Sequence, residues 1–425
     1  MGLVCGMVCP VGVMARIAAR TALASLALGA AACGTGAPAS DSSGTVVDWY
    51  AVPGRSNETA LATTCAAASD GAYTVQLHWL PPTIDNRHTE LVRRLSGANS
   101  SVDVISLDTA LIAEMSDAGF LAPLSATQQA TWGEGVAPGA LAASTRDDDL
   151  VAAPWWFDPQ LLWFRGATAE RAGLDTTAPI SWDDLIAGAD RLGVSIQIDD
   201  VDGTGTSEWV AALVTAGGGT LVSGAGGATK VGLDSVAGRS AASVVEFYRE
   251  SRVGPGPSAD ATTTFADVGG GFLLAPSSAL STAPLQIISP ELGFVPYPVI
   301  TDAAPAPGSG TSLAVARDAK DKSASADLIE CLTAPDQQRS LILATGHGAA
   351  RTATYDDKAV QRDSPTAAIV QTALETAQPA PPTASWTAIR RTIDQTWSPV
   401  SGVTTDTTPQ ASQREAEAAV AGELP

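Results

Sequence analysis

Strand-like and helix-like segments alternate along the first part of this 425-residue chain, and this alternation restricts the fold more than any other feature. The predicted order is strand Val46–Tyr50, helix Asn57–Ala68, strand Tyr73–Trp79, helix Asp85–Leu95, strand Val102–Leu107 and helix Thr109–Ala118. Such an order predicts a parallel sheet covered by helices. Ligands of these sheets bind beyond the carboxyl ends of the strands, where Asp108 stands.

A second α/β stretch begins near Pro154. Its predicted elements are a helix with Ser181 as N-cap, strand Val194–Ile198, helices Glu208–Ala216 and Ala237–Arg249, strands Phe294–Tyr297 and Ser312–Ala316, and helix Ser325–Leu332. The chain is long enough for two domains or for one large two-lobed unit.

The N-terminus carries the pattern of an export signal. Two arginines precede the short apolar stretch Thr21–Leu28, and small residues then lead to Cys33. This order is typical of a bacterial lipoprotein, with plain secretion as the alternative. We expect residues 1–32 to be a signal peptide, Cys33 to be lipidated at the outer face of the cell membrane, and residues 33–43 to be a polar tether. Met14 begins a complete signal and is a second candidate start of translation.

Charge and motif spacing exclude several functions. The formal net charge of −21 disfavours binding to nucleic acids and to anionic polymers. The three histidines have no metal-ligand spacing. The segment Asp199–Gly205 starts like a calcium loop, but Ala211 stands where the loop needs its bidentate Glu. We therefore expect a solvated acidic turn there, and neither a metal nor a cofactor.

Three cysteines remain after removal of the signal: Cys33, Cys65 and Cys331. Acylation of the first leaves two in an oxidising compartment, which favours a disulfide between Cys65 and Cys331. Two buried free thiols are the alternative.

Several ordered segments resemble carbohydrate ABC-importer binding proteins. The closing part of that family is similar to Thr311–Lys322 followed by Ala326–Leu332 and Gln337–Gln338, and two further matches are Ser181–Leu185 and Leu213–Gly219. The chain more closely resembles trehalose-binding lipoproteins of trehalose-recycling importers at Leu91–Gly97, Asp103–Asp108, Ala152–Pro154, Gln160–Trp163 and Gly293–Pro298. Cys65 and Cys331 also fall where those lipoproteins have cysteines.

This resemblance implies a two-lobed periplasmic-binding-protein-like fold of the class II type, with a hinge and a cleft between the lobes. One lobe is expected to hold residues 44–154 and 305–351, and the other residues 155–304 and 352–425. The implied partners are a small sugar, the permease subunits of an ABC importer and, through the lipid, the membrane. The implied state is a monomer.

The chain departs from the trehalose-binding relatives in the expected cleft. Asp158 stands where they carry Asn, and Pro276 and Ser277 fall near the position of their cleft Trp. Thr392 aligns with an Arg of the relatives, with Arg390 beside it. The bound sugar can therefore differ from trehalose.

Sugar sites combine flat apolar faces with charged hydrogen-bond acceptors, and the run Trp155–Asp158 supplies both. In a strand, Trp156 faces opposite to Trp155 and Phe157, so at least one of these aromatics points away from the core. The candidate ligand-binding residues are Asn86, Asp108, Trp155, Trp156, Asp158, Trp209, Ser309, Gly310, Trp386 and Arg390. Core packing is the alternative for the tryptophans, and helix capping is the alternative for Asp108.

Two functions remain open from the sequence. The first is a binding protein, not an enzyme, that delivers a sugar to a permease. The second is a lipid-anchored glycoside hydrolase that uses paired carboxylates such as Asp108 and Asp158. The sequence contains no G-x-S-x-G nucleophile elbow.

Overall fold

The predicted alternation of strands and helices is present, and it extends into a sheet that runs through the whole molecule. The computed structural model describes residues 44–97, 101–224, 228–267, 271–300 and 304–423. The expected signal peptide, Cys33 and the tether lie outside the described residues.

The strands are β1 Thr45–Ala51, β2 Tyr73–Trp79, β3 Val104–Asp108, β4 Thr145–Arg146, β5 Asp149–Leu150, β6 Ala153–Arg165, β7 Ile196–Asp199, β8 Val222–Ser223, β9 Lys230–Val231, β10 Pro257–Ser258, β11 Phe272–Pro276, β12 Leu292–Pro296 and β13 Gly308–Val315. The α-helices are α1 Glu58–Ala68, α2 Ile84–Leu95, α3 Ile112–Asp117, α4 Ala126–Gly133, α5 Pro138–Ala143, α6 Thr168–Arg171, α7 Trp182–Leu192, α8 Gly205–Ala216, α9 Val236–Glu250, α10 Ala261–Asp267, α11 Ala283–Ile288, α12 Lys322–Leu332, α13 Pro335–Thr345, α14 Lys358–Asp363, α15 Ala367–Leu374, α16 Trp386–Trp397 and α17 Thr408–Val420. Short 3₁₀ turns lie at Ser277–Ser281, Ser289–Glu291, Thr352–Asp356 and Val400–Gly402.

In the described residues, nine strands form one mixed sheet in the order β10-β7-β11-β6-β13-β3-β1-β2, with β12 also paired to β6. Strand β1 is parallel to both β2 and β3, as the sequence predicted. Strand β13 runs antiparallel to β3 and β6, so the sheet is mixed where the second stretch joins it. The chain has an α/β fold in which one mixed sheet is shared by two lobes.

The long strand β6 links the two parts of the sheet. Its first half pairs with β13, and its second half, from Gln160 onward, pairs with β11 and β12. We call the part around β1, β2 and β3 the first lobe and the part around β7, β10 and β11 the second lobe. Because β6 is continuous, side chains at its midpoint lie where the two lobes meet.

Each lobe has its own apolar core. The first lobe packs helices on both faces of its sheet, with Trp49 and Leu328 on one face and Ile105 and Ile112 on the other. The second lobe has a larger core that includes residues of β7, α7, α8, α9, α16 and α17. Helix α7 begins as predicted, because the Ser181 hydroxyl accepts a hydrogen bond from the Asp184 N–H at 3.0 Å.

Cys65 in α1 and Cys331 in α12 form a disulfide across 266 residues of sequence. Cys65 is buried, and the helices that carry both cysteines pack on the same face of the first lobe. The disulfide therefore ties the beginning of the first lobe to the late segment that returns to it.

We predict that the double substitution Cys65→Ala/Cys331→Ala lowers the free energy of unfolding by up to about 5 kcal/mol, because it removes the constraint on a long loop in the unfolded chain. Urea denaturation with and without reductant measures the loss, and reductant should not affect the double variant. Detection of both thiols in the unreduced, denatured protein would contradict the disulfide.

Candidate functional site

A cavity of about 510 Å³ lies at the midpoint of β6, between the two lobes. The first lobe contributes the loop Val52–Arg55, the second lobe contributes the segment around Asp199–Asp202, and β6 forms the base. The volume is within the ordinary range of small-molecule sites. This is the cavity in which charged and aromatic groups from both lobes converge.

Alternate residues of β6 face this cavity. Trp156, Asp158 and Gln160 all line it, because side chains two residues apart point to the same face of a strand. Trp155 and Phe157 do not line the cavity and are buried in two different apolar clusters, and Trp156 also packs in the cluster that holds Trp155. The predicted alternation within this aromatic run is therefore present.

Asp158 is held by two consecutive residues of one other segment. His347 Nδ1 lies 2.5 Å from Asp158 Oδ2, and the Gly348 N–H donates to Oδ1. The His347 ring also stacks on Trp156, with centroids 4.1 Å apart and planes 20° from parallel. Residues 348–350 pair with the outer edge of β6, and this pairing places His347 beside Trp156. Trp156 and His347 together form one wall of the cavity.

Asp108 lies behind the cavity in a buried ion pair. The Arg87 guanidinium donates through Nε to Asp108 Oδ2 at 2.5 Å and through Nη2 to Oδ1 at 3.0 Å. Arg87 is fully buried, and its remaining donors reach the carbonyls of Pro81 at 3.0 Å and Pro82 at 2.7 Å. Helix α3 starts only at Ile112, so Asp108 does not cap a helix at Thr109, and its side chain instead neutralises Arg87.

Asp202 connects this ion pair to the second lobe. Arg55 Nη2 donates to Asp202 Oδ2 at 3.2 Å, and Arg87 Nη2 lies 3.8 Å from the same oxygen. Burial alone would raise the pKa of Asp202, but attraction to the two arginines holds it below its ordinary value. Two arginines of the first lobe therefore bind one carboxylate of the second lobe at the cavity.

The segment Asp199–Gly205, predicted to be a solvated acidic turn, is partly exposed, and Val201 at its centre is 65% exposed. It lines the cavity, and Asp200 Oδ1 accepts a hydrogen bond from the Gly205 N–H at 2.6 Å. Burial raises the pKa of Asp199 to about 6, and the charge of Asp202 adds to this effect. Burial, again reinforced by Asp202, raises the pKa of Glu208 to about 8.

Three of the candidate tryptophans do not reach this cavity. Trp155 packs edge-to-face on Trp49 in the first-lobe core, with ring centroids 5.9 Å apart. Trp209 is buried in the second-lobe core, where it contacts Tyr248. Trp386 is also buried in that core, and it borders a second, proline-rich cavity of about 310 Å³. Their apolar contacts account for these three positions.

Asn86 and Arg390 are also away from the cavity. Asn86 is exposed on α2. Arg390 is buried, forms ion pairs with Asp85 of α2 and with Asp394, and donates to the Gly203 carbonyl at 3.3 Å. Arg390 thus links the first turn of α2 in the first lobe to helix α16 in the second.

Ser309 and Gly310 lie on β13 next to the cavity base. Ser309 lines the cavity opposite Asp158 in the strand register. A Cβ at Gly310 would lie 2.2 Å from the Trp156 carbonyl oxygen, so only glycine allows β13 to approach β6 this closely.

Among the residues at the site that the sequence reasoning did not name as candidates are Arg55, Arg87, Glu208 and His347. None has a local motif around it, and each becomes recognisable only when the fold brings it to the acidic residues. Arg87 had one detectable signal, since it faces the buried side of an amphipathic helix, where an unpaired arginine is rare.

The chain matches the bacterial extracellular solute-binding protein family over residues 85–339, and it belongs to that family. Among the described residues, no helix has the length and apolarity to cross a membrane, and no group of three or more His, Cys, Asp or Glu is placed to hold a metal ion.

Solved structures of solute-binding proteins share the fold. The GacH receptor of Streptomyces glaucescens, solved unliganded and with acarbose, matches with a TM-score of 0.75 and 19% identity over 90% of this chain and 98% of its own. The sugar-binding protein MalE of Xanthomonas citri matches with a TM-score of 0.76 and 17% identity over 89% and 98%. The cyclic α-maltosyl-1,6-maltose binding protein of Arthrobacter globiformis matches with a TM-score of 0.70 and 18% identity over 89% and 100%.

We predict that Asp108→Asn destabilises the protein by about 3 kcal/mol, because removing one partner of a buried ion pair leaves the other charge poorly compensated. Asp202 remains 3.8 Å from Arg87, which keeps the loss at the low end of the usual range. Urea unfolding at pH 7 measures the effect. The control is Asp117→Asn, which breaks a more exposed pair with Arg146 and should cost less than about 1 kcal/mol. Equal losses in the two variants would contradict the role given to Asp108.

Proposed function

We propose that this protein captures a sugar, trehalose or a related oligosaccharide, in the cavity at the midpoint of β6 and delivers it to an ABC importer. The observation that carries the proposal is the convergence of Trp156, Asp158 and Gln160 from one strand with charged groups of both lobes. Membership of the solute-binding family supports the proposal. The fold supports it as well, since it is shared with proteins solved with acarbose or maltose bound and with a cyclic α-maltosyl-1,6-maltose binding protein.

The chemistry of the cavity fits a polyhydroxylated ligand. Carboxylates accept strong, charge-assisted hydrogen bonds from hydroxyl groups, and Arg55 and Gln160 supply donors. The aromatic wall of Trp156 and His347 offers an apolar surface for the C–H groups of a sugar ring. Ser309 adds a hydroxyl beside Asp158. In this proposal Asp108 positions Arg87 and does not touch the ligand.

The hydrogen bonds and ion pairs that engage Asp108 and Asp158 argue against a glycoside hydrolase. A general acid or nucleophile needs a carboxyl group that faces the substrate. Asp108 is engaged by Arg87 through both oxygens, and Asp158 is engaged by His347 and the Gly348 N–H. We therefore infer a binding protein without catalytic activity.

The place of action follows from the family and from the N-terminal sequence. We propose that the protein acts outside the cytoplasm as a monomer, is held to the outer face of the cell membrane by a lipid on Cys33, and docks on permease subunits. We further propose that the lobes are divided as the resemblance implies, with 44–154 and 305–351 in one and 155–304 and 352–425 in the other.

Calorimetry with trehalose, combined with product analysis, tests the function directly. We expect heat of binding and intact trehalose after prolonged incubation. Release of glucose would favour the hydrolase. Maltose and glucose in the same experiment define how selective the cavity is.

We predict that Trp156→Ala weakens sugar binding by about 2–4 kcal/mol, the scale of a binding hot spot, because one wall of the cavity is lost. Isothermal titration calorimetry measures the change. Trp79→Ala is the matched control, since Trp79 is 51% exposed and does not line the cavity, and it should bind as the wild type does.

Trp156 is also buried, so its truncation can cost fold stability as well as affinity. Trp156→Phe keeps an aromatic core residue and should weaken binding to a smaller extent. Unchanged affinity in both Trp156 variants, with folding verified, would exclude this wall from the site.

We predict that Cys33→Ala moves the protein from the membrane fraction to the soluble fraction, because the acylation site is removed. Sugar affinity should stay the same, since Cys33 precedes the described residues by a polar segment. Fractionation of cells followed by immunodetection gives the readout. Ser43→Ala is the control and should remain with membranes. A Cys33→Ala variant that still sediments with membranes would rule out lipid anchoring at this residue.

A further inference from the structure

Acidic groups outnumber basic groups around the cavity. Among the described residues that line it, five carboxyl groups stand against one guanidinium and one imidazole, namely Asp158, Asp199, Asp200, Asp202 and Glu208 against Arg55 and His347. The whole chain has the same imbalance, with a formal net charge of −21. The cavity therefore has a field that attracts cations.

Two of the five carboxyl groups have a basic side chain of the protein as partner, and a third has a backbone N–H. Arg55 binds Asp202 at 3.2 Å, and His347 lies 2.5 Å from Asp158. Asp200 accepts a hydrogen bond of 2.6 Å from a backbone N–H at the start of α8, where the helix dipole favours negative charge.

Glu208 and Asp199 receive only neutral donors in the described part of the chain. Gln160 Nε2 donates to Glu208 Oε2 at 3.0 Å, and the Thr262 hydroxyl donates to Asp199 Oδ1 at 3.3 Å. Asp202 repels both carboxyl groups, and they also repel each other. Glu208 and Asp199 thus have no cationic side chain within ion-pair distance among the described residues.

We propose that the ligand of this cavity carries a protonated amine, so that it is an amino sugar or an aminated oligosaccharide whose ammonium group binds Glu208 and Asp199. The proposal rests on the proposed sugar-binding function and names the substrate class of that same site.

An ammonium group supplies what the site lacks. It offers three donors and a full positive charge, whereas a sugar hydroxyl offers one donor and no charge. Charge pairs are stronger in a partly dehydrated cavity than in water. The Trp156 indole Nε1 is buried without a hydrogen-bond partner in the described residues.

In the absence of an ammonium group, a proton on Glu208 reduces the negative charge of the cavity. The groups that face Glu208 are Asp199 and Asp202 from the acidic segment, Thr204 and Gln160, and Tyr297 after β12. Burial among them raises the pKa of Glu208, so this carboxyl group holds a proton at a higher pH than an ordinary glutamate does. Binding of an ammonium group lowers that pKa and releases a proton to the solvent.

Calorimetry with the purified protein tests the proposal. The probes are trehalose and its 2-, 3-, 4- and 6-amino-deoxy derivatives, each titrated at pH 7 in phosphate and in Tris, whose ionisation enthalpies differ. We expect at least one amino derivative to bind ten times more tightly than trehalose, with release of up to about one proton. Trehalose should release none.

The variant Glu208→Gln should bring the affinity for the best amino derivative close to the affinity for trehalose. It should also abolish proton release on binding. The matched control is Glu415→Gln on the exposed face of α17, which removes the same charge far from the cavity and should leave both readouts unchanged. Binding of trehalose with weaker binding of all four derivatives would overturn the amine and leave the sugar-binding function intact. Binding of none of the five probes would overturn both proposals.

Discussion

The structure depends on the continuity of β6. One thirteen-residue strand takes part in the sheet of both lobes, and its pairing changes at Gln160 from β13 to β11 and β12. Successive side chains of this strand point to opposite faces of the sheet. Trp155 and Phe157 pack in apolar clusters, and Trp156 and Asp158 face the cavity. The base of the site is thereby continuous with the apolar packing of the core.

Electrostatics organise the rest of the site around that strand. Arg87 has no exposed surface, and its charge is balanced by Asp108 on the end of β3 and, at longer range, by Asp202 from the second lobe. Arg55 completes the set from the loop after β1. Burying these charges is favourable only because every guanidinium has a carboxylate or carbonyl partner, and the geometry of the two lobes is therefore coupled to the pairing.

The sequence allowed the class of fold, the disulfide and the aromatic run of β6 to be predicted, because each depends on local periodicity, on the compartment or on a family resemblance. It could not separate Trp156 from Trp209 or Trp386, since a buried tryptophan has the same local pattern in a core and in a cleft. It also assigned the Asp199–Gly205 segment to solvent. Asp202 of this segment pairs with Arg55, which is distant in sequence, and no local pattern encodes that contact.

The first turn of α2 has a consequence for how tightly the protein holds its cargo. The Ile84 N–H donates to the Asp202 carbonyl at 3.1 Å, and Asp85 pairs with Arg390, so two contacts bridge the lobes without any ligand atom. Apparent affinity is the intrinsic affinity scaled by the fraction of molecules already in the binding-competent shape. Substitutions in this turn are therefore expected to change the apparent affinity for the ligand without changing the residues that line the cavity.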